Sequence, residues 1–197
     1  MPDRIIEVKF KPKYLIAQKL IPLILTIVVL VLDQVTKFLI TKNIPLYGLG
    51  DSFFGGFFRI IHVNNPGIAF SIGQGWNLAI RGVLFRVVPL IVLIVVLGVY
   101  MRNDDFTRLQ RWSIAGIAGG GFGNLIDRFF RSEGVVDFLD FKWFGLEKFA
   151  GTKLRFLSWE RWPTFNVADS AVVVCGILLL ISFFITMKKN QQNIGAE

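Results

Sequence analysis

Phe165-Asn166-Val167-Ala168-Asp169-Ser170 opens the last long apolar run of the chain, which continues to Met187. At about 1.5 Å per residue, a helix over this run is long enough to cross the ~30 Å hydrocarbon core of a bilayer. Its first two turns nevertheless hold an asparagine, an aspartate and a serine. An aspartate at the centre of a membrane helix costs roughly 2.5–3.5 kcal/mol, and less near the interface. Asp169 must therefore face water, protein or a ligand. A second aspartate, Asp137, lies in Val135-Val136-Asp137-Phe138, in an upstream segment that is not itself apolar enough to span.

The rest of the composition agrees with a membrane setting. Of 197 residues, 53% are hydrophobic, and the mean hydropathy is +0.57. The apolar residues fall in blocks long enough to span, which predicts one polytopic, mainly α-helical membrane domain over residues 1–197. The net charge of +8 sits on residues that flank these blocks. They read as headgroup contacts and topology determinants, with no aromatic-interleaved surface for nucleic acid. Cys175 is the only cysteine, so no intrachain disulfide and no multi-cysteine metal site is possible. It reads as a packing residue. His62, the only histidine, reads as an interfacial side chain with a hydrogen-bond partner rather than a ligand. No metal and no cofactor is expected.

Four spans are expected, at about 20–40, 78–101, 112–130 and 165–187. The first follows a long basic leader without a small-residue cleavage site, so it reads as a retained helix. Pro89 is placed to kink the second. The third holds Gly116, Gly119, Gly120, Gly121 and Gly123, a density that weakens a helix in water but forms a close-packing face in lipid. Residues 41–77 alternate glycine with short aromatic and β-branched stretches, which predicts short strands lying at the interface. Residues 131–164 form a second non-spanning segment. Basic residues in the leader, in the 102–111 connector and at Lys188-Lys189 place both termini in the cytoplasm. Both non-spanning segments, with Asp137 and the start of the fourth helix, then lie on the outer face.

Several constellations carry candidate chemistry. Asp33 and Lys37 are four apart, on one helical face, either as an intrahelical ion pair or in contact with substrate. Asn65-Pro66-Gly67 reads as a turn whose asparagine amide offers both a donor and an acceptor. Asn124 and Asp127 share a face at the end of the third helix, where a structural network is favoured over chemistry. Arg128 points elsewhere. Asp137 and Asp169 are the one paired-carboxylate candidate. Amide hydrolysis needs a base for water and an acid for the leaving nitrogen, and two carboxylates sharing a proton supply both.

The order Asp33-Gln34-Val35-Thr36-Lys37, Asn65-Pro66-Gly67-Ile68-Ala69-Phe70, Gly123-Asn124-Leu125-Ile126-Asp127-Arg128, Val135-Val136-Asp137-Phe138 and Phe165-Asn166-Val167-Ala168-Asp169-Ser170 resembles the lipoprotein signal peptidase (signal peptidase II) family. The resemblance covers roughly Leu20 to Met187. It implies four membrane helices with a small extracytoplasmic β-rich cradle, in the bacterial inner membrane. It implies an aspartic endopeptidase that removes the signal peptide of prolipoproteins just before the diacylglyceryl-modified cysteine. Asp137 and Asp169 become the catalytic pair, and Asp33, Lys37, Asn65, Gly67, Asn124, Arg128 and Asn166 support the site and substrate. Membrane lipids and the cyclic peptide inhibitor globomycin are implied partners. Two features depart from the family pattern. Pro66 stands where a small or hydroxylated residue is usual. The interval between the aspartates is long, so Phe141 to Pro163 reads as an inserted interfacial flap rich in aromatic and basic residues.

Two other classes remain on the sequence alone. A small transporter or channel would use intramembrane charges as an ion path, but matching halves or interrupted helices are not evident. A non-enzymatic assembly subunit leaves the Asn and Asp clustering at helix ends unexplained.

Overall fold

A mainly helical chain with a small antiparallel sheet is what the computed structural model contains; it describes residues 16–67, 77–143, 148, 151–152 and 160–194, with only the backbone at 78, 81 and 194. In chain order the elements are α1 (Ile16–Leu20), α2 (Leu23–Asn43), β1 (Leu49–Phe53), β2 (Phe58–Asn65), α3 (Leu78–Gly82), α4 (Val88–Arg102), α5 (Arg108–Phe130), β3 (Val135–Phe141) and α6 (Val167–Ile194). The helices Ile16–Asn43, Val83–Arg102 and Val167–Asn193 are long and apolar enough to cross a membrane. Their outward faces carry exposed Val, Ile, Leu and Phe side chains, as expected for surfaces that meet hydrocarbon rather than water.

Helix α5, the expected third span, is built differently. It packs against α2, α4 and α6, and its own residues are mostly buried, including Arg111, Asn124 and Asp127. Its surroundings are protein, so its composition need not be uniformly apolar. A capping box starts it: Thr107 Oγ1 accepts from the Gln110 amide at 3.2 Å while Gln110 Oε1 accepts from the Thr107 amide at 2.9 Å. This satisfies the first free amides and sets the helix start at Arg108, four residues before the expected 112. Helix α6 likewise runs past the expected Met187 to Ile194.

The glycines of α5 form the expected packing face. A Cβ at Gly120 would collide with the Ala168 carbonyl of α6, and one at Gly119 would lie 2.8 Å from the Thr26 carbonyl of α2. A Cβ at Gly116 would strike Cys175, which confirms that cysteine as a packing residue. Three backbones thus approach to distances that side chains would forbid. Pro89 sits in the first turn of α4, directly after a π-helical turn at Val83–Val87 that joins α3 to α4. Its missing N–H and its ring rule out a regular bond back to Phe85, and the widened turn absorbs the mismatch.

Strands β1, β2 and β3 form one antiparallel sheet in that order. Register on the β2–β3 side pairs Val63 with Asp137 and Asn65 with Val135, with an irregularity between Ile60 and Val63. The sheet therefore joins the two segments expected to be non-spanning. Beyond β3 the chain returns antiparallel, bridging Lys142 to Arg161 and Leu139 to Phe165. Trp143 stacks on Trp162 at 5.0 Å. These contacts form the base of the expected flap, whose remainder (144–147, 149–150, 153–159) lies outside the described residues, as does 68–76. At the opposite end of the bundle, buried Arg111 donates to the Asn103 carbonyl at 2.7 Å and Lys19 to the Met101 carbonyl at 2.8 Å, tying α1, α4 and α5 together.

The glycine face yields a paired test. Gly120→Leu should overpack α5 against α6, lowering stability by about 1–3 kcal/mol or more. Gly98→Ala, where a Cβ meets nothing within 4 Å, should leave it unchanged or slightly raised. Thermal unfolding of the two purified variants in detergent checks both.

Candidate active site

The site is assembled from the ends of elements. Helix α6 begins with a reciprocal cap: Asn166 Oδ1 accepts from the Asp169 amide at 2.9 Å, and Asp169 Oδ2 accepts from the Asn166 amide at 3.2 Å. The Asn166 side-chain amide is thereby fixed, and its Nδ2 donates to Asp137 Oδ1 at 2.7 Å. One asparagine consequently holds both carboxylates. The other oxygen of each is served by a different asparagine. Asn65 Nδ2 donates to Asp137 Oδ2 at 3.1 Å, and Asn124 Nδ2 donates to Asp169 Oδ1 at 2.7 Å.

Each of these amides is oriented by a further contact. Asn65 Oδ1 accepts from the Gly67 amide at 3.2 Å, the turn expected from Asn65-Pro66-Gly67. Asn65 faces Val135 across the ladder, and Asp137, two residues further along β3, presents its side chain on the same face. Gly67 is required there because a Cβ would lie 2.8 Å from the Phe85 ring. Asn124 Oδ1 accepts from Lys37 Nζ at 3.1 Å and from Asn166 Nδ2 at 3.1 Å. With its oxygen engaged twice, its NH2 is directed at Asp169.

Lys37 anchors the layer behind. Its ammonium lies 2.8 Å from Asp33 Oδ2 and 2.8 Å from Asp127 Oδ2, all three side chains being fully buried. Asp33 Oδ1 accepts from the Ala168 amide at 3.0 Å, so α2 caps the first turn of α6. Asp127 also receives Arg131 Nε at 3.0 Å and the Val136 amide at 3.3 Å. The ion pair and the helix-end network expected for Asp33–Lys37 and Asn124–Asp127 are therefore one cluster.

Asp137, Asp169, Asn65, Gly67 and Arg128 line one cavity of about 510 Å³, walled by Trp162, Phe165, Val173 and Val174. Asn166 and Asn124 hold the carboxylates from behind. Asp33 and Lys37 do not line this cavity but sit one layer deeper. Arg128 Nε is buried without a hydrogen-bond partner among the described residues. Asp140, three residues past Asp137, takes the opposite face of β3. There it is held by Arg59 Nη2 at 2.7 Å and Arg161 Nε at 2.6 Å. His62 Nδ1 lies 2.8 Å from the Ile44 carbonyl, away from this cluster.

Electrostatics separate Asp137 from an ordinary surface carboxylate. Burial, with the negative charge of Asp169 added to it, pushes Asp137 up to about 7, against the lowering pull of the Asn65 and Asn166 amides and of Lys37. A carboxyl that keeps its proton near neutrality, beside a second carboxyl in the same cavity, is equipped for acid–base work on water and an amide. Among the described residues no group of His, Cys, Asp and Glu is arranged to hold a metal ion.

Four contributing residues were not singled out in the sequence. Gln34 Nε2 donates to Asp33 at 3.1 Å and to the Gly123 carbonyl at 3.1 Å. Arg131 completes the surroundings of Asp127. Val173 and Val174 form the apolar wall. Val173 was accessible from spacing, since it lies four residues, about one helical turn, beyond Asp169.

The model of the signal peptidase (SPase) II family matches residues 25–185. The lipoprotein signal peptidase of Treponema pallidum (strain Nichols) is 46% identical over 180 residues, covering 91% of this chain and 89% of that protein. The lipoprotein signal peptidase of Borreliella afzelii (strain PKo) is 44% identical over 157 residues, covering 79% of this chain and 85% of that protein. A solved bacterial membrane enzyme structure superposes with a TM-score of 0.69 at 25% identity, covering 90% of this chain and 93% of the other. A second superposes with a TM-score of 0.66 at 24% identity, covering 87% and 95%. Nothing in these relatives or in the described residues supports the transporter alternative. The match spans every element that builds the cavity, and the chain belongs to the signal peptidase II family.

Proposed function

We propose that this chain is an aspartic endopeptidase that removes the signal peptide of bacterial prolipoproteins, cutting just before the diacylglyceryl-modified cysteine. The observation that carries the reading is the pair Asp137 and Asp169, brought from β3 and from the first turn of α6 to one cavity and bridged by one asparagine. In this reading the chain is a single polytopic unit over 1–197 with four spans, α5 being the inner one. It sits in the inner membrane with cytoplasmic termini, and the cavity lies near the outer face. There a signal helix and lipid chains remain in the bilayer while the scissile bond reaches water. Membrane lipids surround the apolar helix faces, and globomycin competes for the same cavity.

Near neutral pH the pair shares one proton. One carboxylate takes a proton from water as the oxygen attacks the scissile carbonyl carbon. The protonated partner then gives its proton to the leaving nitrogen. The Arg128 guanidinium, whose Nε has no hydrogen-bond partner among the described residues, donates to a backbone carbonyl of the bound substrate. Asn65, Asn124 and Asn166 position the carboxylates through the transfer.

Asp137→Asn and Asp169→Asn each keep the side-chain size but remove the acid–base function, so each should lower cleavage by about 10²–10⁴-fold or more. Gel-shift cleavage of a lipidated precursor by the purified variants checks this, with membrane insertion and folding confirmed separately. Near-normal cleavage by either variant removes that residue from the pair.

Asp140→Asn should behave differently, losing stability with its two arginine partners yet retaining substantial activity per folded molecule. A loss equal to that of Asp137→Asn would place Asp140 in the chemistry.

The raised pKa of Asp137 fixes the sign of the pH dependence. The shared proton leaves as pH rises through about 7, so cleavage should fall on the alkaline side; protonation of the base defines the acid limb. The same proton is bound more tightly in the folded than in the unfolded chain. Its contribution to stability is complete below about pH 4 and is lost as pH rises through about 7. A cleavage profile flat from pH 5 to 9 would argue against a shared proton.

A further inference from the structure

A second cavity, of about 440 Å³, adjoins the first and shares Gly67 and Arg128 with it. Its character is different. Arg86 comes to it from the π-helical turn, Arg128 from the last turn of α5 and Arg131 from the α5 C-cap, with Ser132, Glu133 and Gly134 closing the far side. Three guanidinium groups therefore line one wall system, and Arg128 also feels the charges of Asp169, Asp137 and Asp127. Arg86 is exposed, and Arg128 Nε is buried without a hydrogen-bond partner among the described residues. Arg131 uses Nε on Asp127. Glu133, the one carboxylate present, is already held by Asn64 Nδ2 at 2.6 Å. Three guanidinium groups against one carboxylate leave this lining with an excess of positive charge, which favours an anionic group.

The nature of that group follows from the proposed substrate, and this step rests on the prolipoprotein reading. Three arms leave the scissile bond: the signal helix, the diacylglyceryl group and the polypeptide that follows the modified cysteine. The first two are apolar and match the Val173, Val174 and Trp162 wall of the first cavity. Only the third is water-soluble, and the second cavity carries the excess of positive charge, three guanidinium groups against the one carboxylate of Glu133. We infer that the Arg86–Arg128–Arg131 cavity receives the first residues after the lipidated cysteine and favours precursors that carry Asp or Glu there. Arg128 sits at the junction and serves both cavities. Arg86 and Arg131 act on specificity, through binding remote from the bond that breaks.

The test uses the full-length purified enzyme in neutral-lipid nanodiscs with three lipidated precursor peptides. They differ only in the two residues after the cysteine: Asp-Glu, Ser-Ser or Lys-Lys. Partly desolvated charge-assisted contacts predict kcat/KM about tenfold higher for the acidic than for the basic peptide, carried by KM. Arg86 is exposed, so Arg86→Gln should fold and bring the ratio towards one. Arg86→Glu should reverse the preference, with cleavage of the Ser-Ser peptide kept throughout. At about 1 M salt the wild-type preference should collapse, because screening then acts within ~3 Å. Equal use of the three peptides by the wild type, or a preference unchanged by Arg86→Glu, overturns the inference while leaving the peptidase reading intact. An Arg86 effect that is equal on all three peptides and appears only when phosphatidylglycerol is present overturns it in favour of a lipid-phosphate site. Failure of the wild type to cleave any of them overturns the peptidase reading and this inference together.

Discussion

One buried cation organises this protein. The Lys37 ammonium has no exposed surface, so in a membrane protein its desolvation must be met by full compensation. Asp33 and Asp127 supply it from two helices at 2.8 Å each, and Asn124 completes the shell. Removing one member would leave an uncompensated charge in a low-dielectric interior, at a cost of about 3–5 kcal/mol. The cluster therefore fixes the axial register of α2 against α5. Asp33 extends the constraint to α6 by capping its Ala168 amide, and Asp127 extends it to β3 through the Val136 amide. Every element that carries a site residue, except β2, is tied directly to this one network.

The proposed catalytic pair, Asp137 and Asp169, inherits its geometry from that frame. Two carboxylates side by side repel, and in solution the chain would separate them. Here three asparagine amides each have their oxygen occupied elsewhere, so each NH2 is directed at a carboxylate oxygen. The donors are neutral. They orient the acids and lower the cost of the negative charge without supplying the full counter-charge that would fix both acids as anions. Burial and mutual repulsion can then hold one proton on the pair near pH 7. Lysine, were it in contact, would abolish the shared proton; placed one layer back, it moderates the shift.

The glycines of α5 serve the same end by a different route. Close approach of α2 and α6 to one backbone brings Asp33 to the first turn of α6 and Asn124 to Asp169. Larger side chains at Gly119, Gly120 and Gly123 would hold the helices apart by more than a hydrogen bond can bridge. Tight packing in lipid is thus a condition of the site and of the fold alike.

Much of this was legible in the sequence because the signals are local. Apolar length marks membrane helices, glycine density marks a close-packing face, and Asn166 three residues before Asp169 marks a helix start whose side chains must be satisfied. The order of the five short motifs, including Asp137 and Asp169, carried the family. The glycine-and-aromatic stretch carried the sheet, though not its third strand, which comes from the segment after α5. Other features depend on groups distant in the chain and were decided only by packing. Asp140 is as acidic as Asp137 and three residues away, yet strand alternation turns it to Arg59 and Arg161 instead of Asp169. Asp33 and Lys37 lie one layer behind the cavity, Asp33 against the Ala168 amide and Lys37 against Asn124. Helix α5 was expected as a span with a close-packing glycine face, and its neighbours enclose most of it, polar residues included. The convergence of Arg86, Arg128 and Arg131 could not be read from positions spread over two helices and a cap. Local sequence determines what each element is and where it starts; which charged groups meet is a property of how elements pack, since an ion pair or a shared proton requires two atoms within a few ångströms that the chain itself separates by many residues.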